Sequence, residues 1–365
     1  MRRVGLFLVR RIAGGILTVV VIVTVTFLMY WSLAPEPGRF VYPQGIKITR
    51  FELRDGAHRL GADRPKLTQY GDWWWHLLHG DFGHMWSGAR LNDNVLTLAP
   101  IGPELYPAIR VTLSILIGGA ILTVLLAVPL GALSGRRIGS VADKVIVVGA
   151  LVGVCTHPIV TGKLLTQWLG IDLHWLPAGG YCSFVRHRPP PGLNLPPDYH
   201  VCGGPVDWTT HMILPWITFA FLFLALYTRM IRASVAESIH EDYVRTARSK
   251  GAREVRVLFR HVLPNASLRV LTMVGMDIGT ALGVAVFVEF SYGFFGLARL
   301  SILAMTGDPA AEATDLPMLL AVVTVIALIV VVGNLLVDVL YAVVDPRTTA
   351  TDRVGRTKEI AAGVM

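Results

Sequence analysis

The sequence predicts an all-α polytopic membrane protein with about six transmembrane helices. Of its 365 residues, 53% are hydrophobic and only 16% carry a charge, and the mean hydropathy is +0.56. Soluble globular proteins carry about 25% charged residues, which is more than this chain has. Disordered chains have low hydrophobicity and high charge, so the composition excludes disorder as well. The net charge of +8 fits basic residues gathered at membrane edges, so we expect a lipid bilayer around the chain and no nucleic-acid partner.

Six apolar segments account for the predicted helices, because a transmembrane helix needs about 20 mostly apolar residues. In chain order they are 12–35, 111–135, 145–162, 208–228, 270–288 and 316–337. The third segment is short and contains His157 and Pro158, which predicts a kink there, and the fifth is interrupted by Asp277. The first is longer than the apolar core of a secretory signal, about 7–15 residues, so we expect it to remain as a helix.

The distribution of basic residues predicts the orientation of these helices. The N-terminus holds four Arg, the link after the second helix holds Arg136, Arg137 and Lys144, and the stretch 229–269 holds nine Lys/Arg against four acids. Cytoplasmic loops carry such an excess of Lys and Arg. Both termini are therefore expected in the cytoplasm.

The same pattern divides the chain into four predicted regions. They are a cytoplasmic tip with the first helix (1–35), an extracytoplasmic loop region (36–107), a five-helix core (108–342) and a cytoplasmic tail (343–365). The loop region contains Trp73, Trp74, Trp75 and Trp86. Trp favours the membrane interface, so we expect an anchoring helix, with a solute-stacking surface as the alternative.

Cys182 and Cys202 lie in one predicted external loop, where oxidation to a disulfide is permitted. Such a bond would contribute roughly 3 kcal/mol in the chain-entropy model, and two unpaired thiols are the alternative. Cys155 lies within a predicted helix and is expected to be a small core residue. No metal site is expected, because the sequence has no Cys-x-x-Cys pair and its histidines are scattered.

The sequence contains no recognisable catalytic or nucleotide-binding motif. The Gly162-Lys163 pair lacks the spacing of a P-loop, so we expect neither enzyme activity nor a cofactor bound by this chain. Asp277 is expected within a transmembrane helix, where it either lines a polar translocation path at a subunit interface or hydrogen-bonds to a neighbouring helix. The surrounding glycines have the four-residue spacing that favours close helix packing: Gly275, Gly279 and Gly283.

The most informative segment is 237–264, in the basic stretch. A helix is predicted from about Ala236 to Lys250, where a cation followed by Gly251 is a typical helix end with a residue at positive φ. A second helix is predicted to end at Pro264. Its apolar stripe consists of Val255, Leu258, Phe259 and Val262. Such an element fits a partner's groove, and a basic loop facing lipid headgroups is the alternative.

This segment resembles the EAA loop of bacterial ABC-importer permeases, which ends in Gly-x9-Ile-x-Leu-Pro. Here Gly251 is followed by nine residues and then by His261, Val262, Leu263 and Pro264. The string 242–251 resembles the oligopeptide, dipeptide and nickel branch of the family, as do segments 60–65, 80–83, 175–181, 288–297 and 345–347. The sequence departs from the family at 245–247, which reads Arg-Thr-Ala instead of Glu-Ala-Ala, and at His261 instead of Ile.

The resemblance implies a type I ABC-importer permease fold in the bacterial cell membrane, and a subunit that moves peptides or related small solutes inward by alternating access. Nickel chelates or other non-peptide solutes are alternative cargo. A proton-coupled secondary carrier is a further alternative, although it would need more ionisable groups within the membrane. The implied partners are a second homologous permease, two cytoplasmic ATPase subunits that bind ATP and Mg, and an extracytoplasmic solute-binding protein.

By the same resemblance, residues 229–269 form the coupling loop that contacts the ATPase. The residues expected to form this contact are Tyr243, Arg245, Thr246, Ala247, Arg248, Lys250, Gly251, Leu263 and Pro264, together with Arg253.

Overall fold

The computed structural model describes residues 2–32, 37–42, 48–92, 95–185, 202–306 and 315–344. Within these ranges the regular secondary structure is helical apart from one β-hairpin. The resemblance at 345–347, the predicted tail beyond 344 and the middle of the loop between Cys182 and Cys202 lie outside the described residues.

Among the described residues, five long helices contain stretches apolar enough to cross a membrane. They are α1 (Arg2–Ser32), α4 (Gly102–Arg136), α7 (Pro205–Ser238), α10 (Leu263–Tyr292) and α12 (Leu316–Val344). Four of them contain a whole segment predicted from the sequence, and α1 contains residues 12–32 of the segment 12–35, whose last three residues lie outside the described ones. A run of about 20 apolar residues satisfies its backbone hydrogen bonds only as a helix in lipid.

The predicted third transmembrane helix is a bent pair. Helix α5 (Val141–Cys155) is followed by α6 (Pro158–Leu165), which continues into a π-helical turn over Thr166–Asp172, and the two parts meet at 105°. The bend lies at His157, whose Nδ1 accepts a hydrogen bond from the Ile159 amide, while proline occupies the first turn of α6. Counting this pair as one crossing gives the predicted six, with the predicted kink at Pro158.

Helices α4 and α7 pack closely because α4 presents glycines to α7. A Cβ atom at Gly131 would lie 2.6 Å from Ile231 Cβ, and one at Gly135 would lie 2.6 Å from the Arg232 carbonyl oxygen. Both distances are shorter than real Cβ contacts. Only glycine therefore allows the two backbones to come this near.

The glycines on α10 behave differently from one another. A Cβ at Gly275 would lie 3.2 Å from Val337 Cγ1 of α12, so this position packs within the chain. Gly279 and Gly283 have no atom of the described chain within 4 Å of an added Cβ. The predicted packing ridge thus makes a contact inside this chain at one of its three positions.

Two apolar clusters form the interior. One joins α1, α12 and the short helix α11 (Leu297–Thr306) to the loop region before α4, and includes the fully buried Val23, Ile101 and Leu105. The other joins α4, α7 and α10 to the coupling loop. The coupling loop therefore belongs to the core that contains the central helices.

The loop region before α4 is ordered over most of its described length. It contains α2 (Arg50–Arg59), α3 (Lys66–Leu78) and an antiparallel hairpin of β1 (His84–Asn92) and β2 (Val95–Pro100). Trp86 is buried, Trp73 and Trp74 are partly buried against the first cluster, and Trp75 is exposed. Helix α3 is held to α1 by Tyr70, whose hydroxyl lies 2.5 Å from Thr24 Oγ1. The role of α3 as an anchoring helix at the membrane interface stays a prediction.

Candidate functional site: the coupling loop and its supports

The coupling loop contains two short helices joined at Gly251. Helix α8 (Asp242–Ser249) precedes the glycine, and α9 (Glu254–Val257) follows it and continues through a π-helical turn, Leu258–Val262, into α10. The predicted start near Ala236 is wrong, because α7 extends to Ser238 and a turn separates it from α8.

The prediction that Pro264 ends the second helix is also wrong. Pro264 lies in the first turn of α10, directly after the π-helical turn. Proline breaks a helix by removing a donor and clashing with the carbonyl four residues earlier. A π turn changes the hydrogen-bond register there, so the helix passes through the proline.

Gly251 has a φ of 79°, in the left-handed region, as the sequence predicts. Its amide donates to the Arg248 carbonyl over 2.9 Å, which closes the end of α8. An added Cβ would meet no atom within 4 Å. Glycine is therefore required here by the backbone conformation, and not by crowding within the chain.

An ion pair spans this turn. Arg248 Nε and Nη2 donate to the two carboxylate oxygens of Glu254 over 2.9 and 3.2 Å. The hydrogen bond from Arg248 holds the pKa of Glu254 below its ordinary value. Arg248, expected at the ATPase contact, is thus already paired within the loop, across the turn between α8 and α9.

The buried side of the coupling loop differs from the predicted stripe. Leu258 and Val262 are buried with Val257 in the core of the central helices, but Val255 is 61% exposed and Phe259 is 55% exposed. The physical reason is the π-helical turn, whose i→i+5 hydrogen bonds bring residues four and five apart onto one face. Residues three apart, such as Val255 and Leu258, no longer share a face. Two large apolar side chains therefore remain on the surface.

The exposed side of the coupling loop is mainly basic. Of the residues expected at the ATPase contact, Ala247 is buried within the chain and Leu263 is half-buried. The exposed ones are Tyr243, Arg245, Thr246, Arg248, Lys250, Gly251, Arg253 and Pro264. With Val255 and Phe259, the exposed part of the loop thus combines basic and large apolar side chains, a composition suited to a groove on a partner protein.

A buried carboxylate supports the end of α7 from which the coupling loop leaves. Asp143 is 3% exposed and accepts hydrogen bonds from Arg232 Nε and Nη2 over 2.6 and 2.9 Å. It also accepts from the Ser134 hydroxyl and from the Gly139 amide. Asp143 thereby ties α4, α5 and α7 together. The signal in the sequence is the Ser140-x-x-Asp143 spacing of a helix N-terminus.

Two further buried acids lie at the opposite end of the helices, where the sequence placed an external segment. Glu289 is in the last turns of α10 and accepts from the Thr112 hydroxyl over 2.6 Å and from the Ala298 amide over 3.1 Å. Asp315 precedes α12 and accepts from the Ser87 amide over 2.7 Å. Glu289 is near the end of α10 and Asp315 precedes α12, so neither lies in the middle of a transmembrane helix as Asp277 does.

Asp277 itself is half-buried on α10. The hydroxyl of Tyr227 on α7 donates to its Oδ2 over 2.9 Å, which is the hydrogen bond to a neighbouring helix considered from the sequence. A place for Asp277 on the translocation path stays a prediction.

The cysteines fall into two environments. Cys182 and Cys202 are joined in a disulfide with their Cα atoms 5.4 Å apart. Cys155 is exposed, so its expected place in the core is wrong. The reason is that α5 packs on α7 through Gly153, where a Cβ would lie 3.0 Å from the Phe221 carbonyl oxygen.

Comparison with known families decides the class of this protein. Residues 127–350 match the family model described as the inner membrane component of binding-protein-dependent transport systems, and residues 4–87 match the model of its N-terminal part. The chain belongs to this family. Its members are permease subunits of ABC importers, and such subunits are not themselves enzymes.

Relatives that align with nearly the whole chain support the same family assignment. The oligopeptide transport system permease protein AppB of Bacillus subtilis and the dipeptide transport system permease protein DppB of Escherichia coli are each 30% identical, over 93% of this chain and 98% of their own. A Brucella ovis protein, named for a peptide permease, is 32% identical over 90% of this chain and 95% of its own. The resemblance to the oligopeptide and dipeptide branch is confirmed. The permease is a multi-pass membrane protein that works with ATPase and solute-binding partners.

Proposed function

We propose that this permease carries peptides inward across the bacterial cell membrane by alternating access, driven by ATP hydrolysis on separate subunits. The relatives that match over the whole chain are named for oligopeptide and dipeptide transport, which favours peptides as cargo. Nickel chelates and other small solutes remain the second candidate, because the resemblance extends to that branch.

The observation that carries the proposal is the construction of the coupling loop. One side is buried in the same core as α4, α7 and α10, while the other presents basic residues around Val255 and Phe259. A force applied to the exposed side would be passed directly to the central helices, because close-packed interiors deform little. We propose that two cytoplasmic ATPase subunits, which bind ATP and Mg, supply this force: one binds this loop and the other binds the second permease.

A second homologous permease is proposed to pack on α10. Gly279 and Gly283 are open in this chain, and glycines four residues apart allow a second helix to approach closely. On this arrangement Asp277 lies near the interface between the two permeases and borders the path of the solute.

We propose that both termini and the coupling loop are cytoplasmic and that the Cys182–Cys202 loop is extracytoplasmic, where the solute-binding protein delivers its cargo. Reporter fusions after Arg136 and Lys250 are expected to be cytoplasmic, and fusions after Gly192 and Ala311 extracytoplasmic. A fusion with the opposite location would reverse the part of the topology that contains it.

The experiment that tests the proposed cargo uses the assembled complex. The ATPase activity of permeases and ATPases in nanodiscs is measured while the binding protein delivers members of a peptide library or nickel chelates. We expect stimulation by peptides and no effect of the chelates. Stimulation by chelates alone would replace peptides with the second candidate, and transport that persists without the ATPase subunits would contradict an ABC mechanism.

A further inference from the structure

Three potential metal ligands meet near the start of α7, at the opposite end of that helix from the coupling loop. One ligand atom from each of Cys182, Cys202 and His211 can be chosen so that all three lie within 4.8 Å of one another. Cys182 Sγ is 3.5 Å from His211 Nε2. The cluster could not be recognised from the sequence, because His211 lies 29 residues after Cys182 and on a different structural element.

The imidazole of His211 is oriented so that its Nε2 can bind a metal ion. Its Nδ1 lies 2.8 Å from the carbonyl oxygen of Asp207, one helical turn earlier. A carbonyl can only accept, so Nδ1 carries the proton and donates it. In the neutral ring the lone pair is then on Nε2, which faces the cysteine sulfur. Histidines that bind metals are held in the same way, with the second nitrogen donating to a carbonyl or carboxylate.

The two cysteine residues differ in exposure. Cys202 is exposed and lines a cleft of about 1260 Å³ together with Tyr181, Ser183 and Trp208, whereas Cys182 is 2% exposed. A thiolate of a small dithiol can therefore attack Cys202 Sγ. A sulfur–sulfur bond forms there, and the Cys182–Cys202 bond breaks with its electron pair on the Cys182 sulfur, beside His211. The second thiol of the reductant then releases Cys202, so that the protein disulfide is reduced and the dithiol is oxidised.

We propose that the reduced form of this cluster binds one thiophilic metal ion of the Zn²⁺ class through Cys182 Sγ, Cys202 Sγ and His211 Nε2. Two thiolates and one imidazole are a typical zinc donor set, with Zn–S about 2.3 Å and Zn–N about 2.0 Å. Two sulfur atoms on one tetrahedral zinc ion lie about 3.8 Å apart, so the two sulfurs must move apart once the disulfide is reduced. Cys182 Sγ and His211 Nε2 already lie 3.5 Å apart, which suits two ligands of the same ion. The cleft beside Cys202 provides an entry path and leaves the fourth position to water. Binding releases the two thiol protons.

On this proposal the cluster constrains the external loop in two exchangeable ways. The disulfide fastens the two ends of the loop, residues 182 and 202, to each other. The metal ion fastens both cysteines to His211, and hence to the helix. The external loop then responds to reductant together with metal, independently of which solute the permease carries.

The test uses the full-length permease with Cys155→Ser, so that only the two loop cysteines remain. The protein in nanodiscs is reduced with a dithiol, freed of it, and titrated with Co²⁺ as a spectroscopic probe. We expect one Co²⁺ per chain, with a thiolate-to-cobalt charge-transfer band and the visible bands of tetrahedral cobalt, and full displacement by Zn²⁺. The oxidised protein should show neither band. A reduced protein that binds no Co²⁺, or a disulfide that resists reduction, would overturn the proposal.

Variants separate a ligand role from a structural one. His211→Ala should weaken Zn²⁺ binding at least tenfold and change the cobalt spectrum, and Cys202→Ser should abolish both bands. His240→Ala, at the other end of α7, is the matched control and should leave the titration unchanged. The thermal midpoint of each purified variant shows that it is folded. A folded His211→Ala variant with unaltered affinity and spectrum would contradict the assignment of the ligands.

Discussion

The α4–α7 interface and the coupling loop both depend on glycine, but for opposite reasons. At Gly131 and Gly135 the backbone is ordinary helix, and a Cβ would collide with α7. At Gly251 the surroundings are open, and the backbone conformation excludes most other residues. A substitution in the first region damages the fold of this chain. A substitution in the second changes the shape of a surface and leaves the transmembrane helices untouched.

The largest effect on the fold is expected where the α4–α7 interface ends in the Asp143–Arg232 ion pair. Arg232→Ala would leave the Asp143 carboxylate buried without its charged partner, at a cost of about 3 kcal/mol or more. We expect a strong loss of folded permease, measured by fluorescence-detected size exclusion after expression. Arg232→Lys restores the charge without the bidentate geometry and should recover part of the protein. Normal amounts of Arg232→Ala would show that the ion pair does not hold these helices together.

A smaller but clear loss is expected for Gly131→Val. The side chain must displace Ile231 and the backbone carbonyl of Thr228, which overpacks the interface by about 1–3 kcal/mol. The measurement is the thermal midpoint of the purified permease. Gly149→Val on α5, where an added Cβ meets no described atom, is the matched control and should leave the midpoint nearly unchanged. Equal midpoints for the two variants would remove the distinction between packed and open glycines.

Substitution of the open glycines of α10 is expected to affect binding of a partner and not the stability of this chain. Gly279→Val should leave the isolated chain as stable as the parent, because no described atom lies near the new side chain. It should reduce co-purification of the second permease at least tenfold if α10 forms that interface. Gly149→Val again serves as the control. Undiminished pairing of the Gly279→Val chain would place the second permease on another surface.

The sequence predicted most of the fold because each transmembrane helix is encoded locally. A run of about 20 apolar residues is sufficient, and the kink at Pro158 and the positive φ of Gly251 follow from one or two residues each. The π-helical turn at Leu258–Val262 could not be predicted in this way. It carries the helix through Pro264 and exposes Phe259, while Leu258 and Val262 are buried in the core of the central helices.

The buried polar groups are the main feature that could not be predicted from the sequence. Asp143, Glu289 and Asp315 lie near the ends of helices, where a charged residue in the sequence indicates a boundary with water. Their partners are distant in sequence: Glu289 pairs with Thr112, and Asp315 with the Ser87 amide. The proximity of Cys182 to His211 was missed for the same reason, because the two residues are 29 positions apart in the sequence. Hydrophobic periodicity carries no information about such pairs, because they form only when the helices have assembled.

The central claim is that the exposed side of the coupling loop binds the ATPase, and Gly251→Val tests it most directly. A β-branched residue at φ of 79° costs about 1–2 kcal/mol and reshapes the turn between α8 and α9, while the transmembrane helices are unchanged. Gly251→Asn is the matched control, because Asn tolerates this conformation.

The measurement is the ratio of co-purified ATPase to permease, together with solute uptake, for both variants co-expressed with the ATPase subunits. We expect near-normal membrane insertion of both, at least a tenfold loss of bound ATPase and of uptake for Gly251→Val, and substantial retention of both for Gly251→Asn. A Gly251→Val permease that keeps its ATPase and transports at the parent rate would contradict the claim that this loop couples ATP hydrolysis to transport.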